Sequence, residues 1–179
     1  MPVCPTGAIS FEERDTLAYD EQAVKENMKK NNGSSCHCPG SNSMTISRND
    51  NPNTTKIQLT NELRNWPVQI KLAPIKAPYF EDSNLLIAAD CCAYSYANFH
   101  HDFINNHTTL IGCPKLDDCD YSEKLKEIIK ENTIKSITIA RMTVPCCRGI
   151  EVAVFRAIEE SGKEIEVKIV KISPDGNII

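Results

Sequence analysis

Three short apolar runs in the second half of the chain, Leu85–Asp90, Thr109–Gly112 and Ser136–Arg141, lack the polar alternation of a half-exposed strand. The segments between and after them carry a helical period instead. Tyr96, Phe99 and Phe103 recur at i, i+3 and i+7 within Ala93–Ile104. Leu125, Ile128 and Ile129 face one way in Tyr121–Glu131, and Ile150, Val154, Ala157 and Ile158 do so further on. Unalternating strands separated by helices predict a parallel sheet covered on both faces.

Two further runs alternate. Glu164–Ile172 reads as an edge strand, after which Ser173-Pro174-Asp175-Gly176 makes a turn and Asn177-Ile178-Ile179 pairs back. Trp66–Leu72 reads as a first strand, with Pro67 near an edge. The fold expected is α/β. It has a mainly parallel sheet of about five strands flanked by helices, a three-layer arrangement of the Rossmann-like or flavodoxin-like kind, and a polar N-terminal extension.

That extension divides in two. Glu12–Lys30 is charged, with Leu17, Val24 and Met28 as its few apolar points, and predicts a solvated helix capped by Asp20. Residues 31–62 are rich in Asn, Ser, Thr and Gly and predict a linker. The organisation expected is residues 1–30, a polar linker 31–62, and an α/β domain 63–179.

Composition narrows the function. Hydrophobic residues make up 41% and charged residues 25%, and no apolar run is long enough to span a bilayer, so a membrane location is not expected. The start, Met1-Pro2-Val3-Cys4-Pro5, has neither the basic nor the apolar region of a signal peptide, and a cytoplasmic protein is expected. A net charge of −4 gives no electrostatic basis for nucleic acid. Gly-x-Gly-x-x-Gly, P-loop and Gly-x-Ser-x-Gly patterns are absent from the sequence.

Nine cysteines, an odd number, point to metal or redox chemistry rather than a disulfide framework. Five of them follow expected strands: Cys91 and Cys92, Cys113, and Cys146 and Cys147. Parallel strands would bring them to the carboxyl edge of the sheet, where open α/β folds place ligands. Converging thiolates suit a soft metal, an iron–sulfur cluster or thiol–disulfide exchange. A single buried cysteine is ordinarily a small core residue, and the case rests on five at three strand ends.

Pro114 holds Cys113 at the rim, whereas Cys119 lies in an acidic loop and reads as a bystander. Cys146 and Cys147 precede a helix N-terminus, with Arg141 and Arg148 adding positive charge; this is the environment expected to favour a thiolate. Cys36-His37-Cys38-Pro39-Gly40 in the linker offers further ligands that would close over the strand-end thiols. His100 and His101 read as surface or packing residues.

The string Cys4-Pro5-Thr6-Gly7-Ala8-Ile9 resembles the end of a bacterial-type ferredoxin cluster motif, in which the fourth cysteine of a run ligates the other cluster. The three cysteines that precede it in that family are absent here, and Cys4 is expected to be an orphan thiol. Trp66-Pro67-Val68-Gln69, Ala88-Ala89-Asp90-Cys91, Gly112–Asp118 and Val144-Pro145-Cys146-Cys147 extend the likeness over nearly the whole chain. Together they resemble anaerobe-type two-cluster 4Fe–4S ferredoxins that carry a C-terminal cysteine-bearing α/β domain.

The resemblance implies iron–sulfur electron transfer with redox protein partners. The expected centre uses Cys91, Cys92, Cys113, Cys146 and Cys147, with Arg148 tuning it and Cys36 and Cys38 as further ligands. One alternative is a redox enzyme with a Cys146 or Cys147 thiolate, Arg141 or Arg148 binding an anionic substrate. Another is a zinc-binding structural adaptor.

Overall fold

The computed structural model describes Ile46 and residues 60–179. The ferredoxin-like string with Cys4, the helix expected before residue 30 and the Cys36–Cys38 turn lie outside the described residues.

Four strands, β1 (Ser83–Ala89), β2 (Thr108–Gly112), β3 (Ile134–Met142) and β4 (Glu166–Ile172), form one sheet in the order β2-β1-β3-β4. Every pairing is parallel. Residues in register share a face, so Leu85 and Ile87 lie beside Ile137 and Ile139, with Leu110 next to Ile87, all fully buried. These runs are continuously apolar because both faces of the sheet are covered.

Helices α2 (Tyr121–Glu131) and α3 (Arg148–Ser161) pack on each other, and α3 lies against β1 and β3 on one face of the sheet. The Asp120 side chain caps α2 by accepting from Ser122 N at 2.9 Å, and α3 stops at Gly162, whose φ of 70° suits a residue without Cβ. Leu125, Ile128 and Ile129 are buried in α2, and Ile150, Val154 and Ala157 in α3, as the helical period predicts.

The connection from β1 to β2 runs in the opposite sense across the sheet, and right-handed crossovers therefore put it on the other face. It contains α1 (Cys92–Ser95) and a π-helical turn, His100–Ile104. The long helix expected over Ala93–Ile104 is thus broken. Tyr96 leaves α1 with extended backbone (φ −103°, ψ 112°) and sets its ring edge-on to Phe103 at 5.5 Å. Its hydroxyl donates to Asp102 at 2.5 Å, and Phe99 stacks on Phe103 at 5.0 Å. Of the expected aromatic face, Phe99 and Phe103 are buried and Tyr96 is half-buried, on a kinked chain.

The strand expected at Trp66–Leu72 does not form, and the sheet has four strands rather than about five. Gln69 makes only an isolated parallel bridge to Ile111. Before it, the Asn65 side chain takes both backbone groups of Thr109, accepting from N at 2.8 Å and donating to O at 3.0 Å. After it, Leu72 N and Ala73 N turn back to Gln69 O. A side chain and a turn thus do at this edge what a strand would have done. Trp66 is exposed and adds nothing to the core.

β4 is the other edge, as its alternation predicts. The chain beyond it returns through a single antiparallel bridge from Ile178 to Ile172, and Gly176 (φ 90°) sits so tightly on the Ser95 carbonyl that a Cβ would collide with it.

Candidate thiol site at the carboxyl edge

The chain leaves β1 toward β2 on one side and reaches β3 on the other, so the switch point lies between β1 and β3. Cys91 and Cys92 follow β1 directly, and Cys113 follows β2. After β3 a short 3-10 turn, Pro145–Cys147, leads into α3 with Cys147 as its N-cap residue. The cysteines that follow all three strands therefore lie at the carboxyl edge of the sheet.

Close packing joins the two outer strand ends. A Cβ added at Gly149, in the first turn of α3, would stand 2.8 Å from Pro114 Cβ, so the loop after Cys113 rests on the start of that helix. The same loop is wound tightly on Cys113, whose carbonyl accepts from Leu116 N (3.1 Å) and Asp117 N (2.9 Å).

The structure divides the five thiols into two kinds. Cys92 and Cys147 are buried, and Cys92 Sγ donates to Ala140 O at 3.4 Å across the sheet. Burial pushes the Cys92 thiol up to about 12, with the neighbouring Cys147 adding to the effect. Cys147 is raised to about 11, again by burial first, partly offset by a backbone hydrogen bond from Met142. Cys91 is exposed, and Cys113 and Cys146 are half-buried.

The Cys91 thiol is also raised, by lost hydration and then by the negative charges of Cys113, Asp90 and Cys146. Cys91, Cys113 and Cys146 thus form a rim of accessible sulfurs within electrostatic reach, and Cys92 and Cys147 lie inward of it.

Two expectations about charge are corrected. Arg141 is not free to face the thiols or an anion. Its side chain is 10% exposed, its Nε donates to Glu151 of α3 at 2.6 Å, and its Nη1 donates to Met142 O at 3.1 Å. It ties the end of β3 to α3. The helix N-terminus, expected to lower a thiol at Cys147, is outweighed there by burial. Arg148 is exposed, and Cys119 is exposed in the loop before α2. His100 accepts from Glu62 N at 3.3 Å and His101 is exposed beside Asp102, which fits the packing and surface reading of both.

Sequence reasoning missed a polar network under the rim. Asp90, between β1 and Cys91, is raised by burial and by Asp117, against a hydrogen bond from Gln69; its Oδ1 is buried without a partner. Tyr121, the first residue of α2, donates to Asp117 and receives a hydrogen bond from the Cys113 backbone. A Cβ at Gly112 would stand 2.6 Å from the Tyr121 hydroxyl, so glycine is needed for this approach. The visible signal was a carboxylate near each strand-end thiol in the sequence, Asp90 before Cys91 and Asp117 after Cys113.

The donors fit a soft cation in kind. Three rim thiols and a carboxylate with an unsatisfied buried oxygen are donors of the soft and anionic kinds such a cation takes. In the arrangement described, however, no three His, Cys, Asp or Glu residues stand close enough to hold an ion, among the described residues.

The parallel order about a switch point and the apolar strands agree with a match of residues 77–179 to the model of a Rossmann-like domain. The chain belongs to that family. Its Rossmann-like domain contains all five strand-end cysteines, whereas the ferredoxin-like string at Cys4 lies outside the match and draws no support from it. The chain is also 36% identical over 115 residues to an uncharacterized protein of Archaeoglobus fulgidus, covering 63% of this chain and 81% of the relative. No solved structure matches. Among the described residues, no helix is long and apolar enough to cross a membrane.

Proposed function

We propose that this Rossmann-like protein is an electron carrier whose carboxyl-edge thiols, Cys91, Cys113 and Cys146, hold an iron–sulfur centre that exchanges electrons with redox protein partners. The observation that carries this reading is that three accessible thiols follow three adjacent parallel strands at one edge of the sheet, with Cys91 next to Asp90 in the chain and within electrostatic reach of Cys113 and Cys146. Such a centre supplies one-electron chemistry with a potential set by the charge and hydrogen bonds around its sulfurs. Here those influences would come from Asp90, from the Tyr121–Asp117 pair next to Cys113 and from the buried Cys92 and Cys147.

The test is anaerobic reconstitution with iron and sulfide, followed by reduction in a spectrometer. A visible band that bleaches reversibly, with an electron paramagnetic resonance signal on reduction, is expected, and both disappear in Cys113→Ser. Bound zinc without absorbance would replace the electron carrier with a structural adaptor.

A second reading is a thiol redox enzyme, and one observation favours it. A cavity of about 530 Å3, lined in part by Asp90, Cys91, Tyr94 and Pro174, adjoins the most exposed rim thiol. Against it stands the raised Cys91 thiol, which is mostly protonated near neutrality and so a weak nucleophile. Rapid alkylation of Cys91 alone in metal-free protein at neutral pH would favour the enzyme.

A further inference from the structure

A second cavity, of about 500 Å3, opens at the opposite edge of the sheet, where β1 and β2 begin. That volume is in the range small ligands occupy. Its wall is assembled from three places: Arg64 before the sheet, Tyr79, Glu81 and Asp82 leading into β1, and Asn106 and His107 leading into β2.

Three features of this wall point to a ligand. The Tyr79 hydroxyl is buried and has no hydrogen-bond partner, a state that buried polar groups seldom keep without water or ligand. Desolvation also raises its pKa, which keeps it a donor. Asp82 (φ 52°) and Asn106 (φ 61°) are the non-glycine residues with left-handed backbone among those described, and both line this cavity. Such conformations gather where a site is held in a fixed shape.

The third feature is charge. Arg64 donates to Asn106 Oδ1 at 2.8 Å but forms no ion pair within 4.0 Å among the described residues, although two carboxylates share its cavity. His107 Nδ1 donates to Asn105 O at 2.9 Å.

Opposite charges held apart in one cavity select against simple ions. A phosphate or nucleotide satisfied by Arg64 would also meet Glu81 and Asp82, and an inorganic cation would meet Arg64. A molecule carrying both signs a few bonds apart satisfies both walls. We propose that this amino-edge cavity binds a small zwitterion of the free α-amino acid class. Its carboxylate lies on Arg64 and accepts from the Tyr79 hydroxyl once that side chain turns out of its buried position, and its ammonium lies on Asp82 and Glu81. The site is independent of the thiol edge.

The test uses the full chain, the twenty common amino acids in pools at millimolar concentration, and ligand-observed NMR, with inorganic phosphate as the simple anion. One or a few amino acids are expected to bind. Arg64→Gln and Asp82→Asn each weaken binding about tenfold, and Tyr79→Phe roughly three- to tenfold. Circular dichroism of each variant is expected to match the parent, because Arg64 and Asp82 are exposed and asparagine tolerates left-handed backbone. Cys91→Ser leaves binding unchanged. Binding of no amino acid, equal binding by Arg64→Gln and Asp82→Asn, or phosphate binding as tight as the best amino acid would each overturn the proposal.

Discussion

Replacing Glu151 by Leu tests whether Arg141 is a structural tie rather than an anion-binding group. The two side chains are 10% and 21% exposed and meet at 2.6 Å. Glu151→Leu leaves a guanidinium at the end of β3 with only the Met142 carbonyl as partner. Breaking a buried pair from one side costs about 3–5 kcal/mol. Because Glu151 is one-fifth exposed, water reaches part of the vacated site, and a loss of about 3 kcal/mol is expected. That is a large share of the ~5–15 kcal/mol that holds a domain folded.

The double variant Arg141→Met/Glu151→Leu removes both charges and is expected to recover most of the loss, since an apolar pair of similar volume is often neutral or better. Urea unfolding followed by far-UV circular dichroism reads both effects as shifts in midpoint at constant slope. A loss below about 1 kcal/mol for Glu151→Leu, or a double variant no more stable than the single, would refute the reasoning.

Alkaline pH is expected to destabilise the domain through its inner thiols. Folding raises Cys92 and Cys147 from 9.0 to about 12 and about 11, so the stability they contribute is fully present below pH 9 and is lost as pH rises through those values. Melting temperatures of Cys92→Ala and the parent, measured from pH 8 upward, will converge on the alkaline side; a constant difference would contradict the assignment. Gly112→Ala drives a methyl into the Tyr121 ring and is expected to cost roughly 1–3 kcal/mol while speeding alkylation of Cys113. Denaturation and timed iodoacetamide labelling check the two effects, and unchanged labelling would separate Tyr121 from the placement of Cys113.

Much of the fold was legible because burial on both faces leaves a plain mark. Leu85–Ala89, Leu110 and Ile137–Ala140 are apolar without alternation because helices lie on each side, and Tyr121–Glu131 matches its expected bounds because Asp120 caps it. What failed was decided by side chains acting as backbone. Asn65 pairs with Thr109 where a strand was expected, and Tyr96 and Asp102 close a kink through an otherwise helical stretch.

At the site, the sequence placed the cysteines at the right edge but not at the right depth. That Cys92 and Cys147 point inward while Cys91 and Cys146 stay nearer solvent depends on backbone direction after each strand, which adjacent cysteines do not encode. The role of Arg141 depended on Glu151, a residue ten positions on that helix geometry alone brings to it. The carboxylates Asp90 and Asp117 were visible, but their proximity was not.

The most direct measurement of the central claim is the iron and acid-labile sulfide content of the full chain isolated without oxygen, beside Cys91→Ser, Cys113→Ser, Cys146→Ser and Cys119→Ser. The electron-carrier account predicts iron and sulfide in the parent and in Cys119→Ser, and their loss in each of the three rim variants. A folded, colourless parent without metal, or iron retained in all three rim variants, would contradict it.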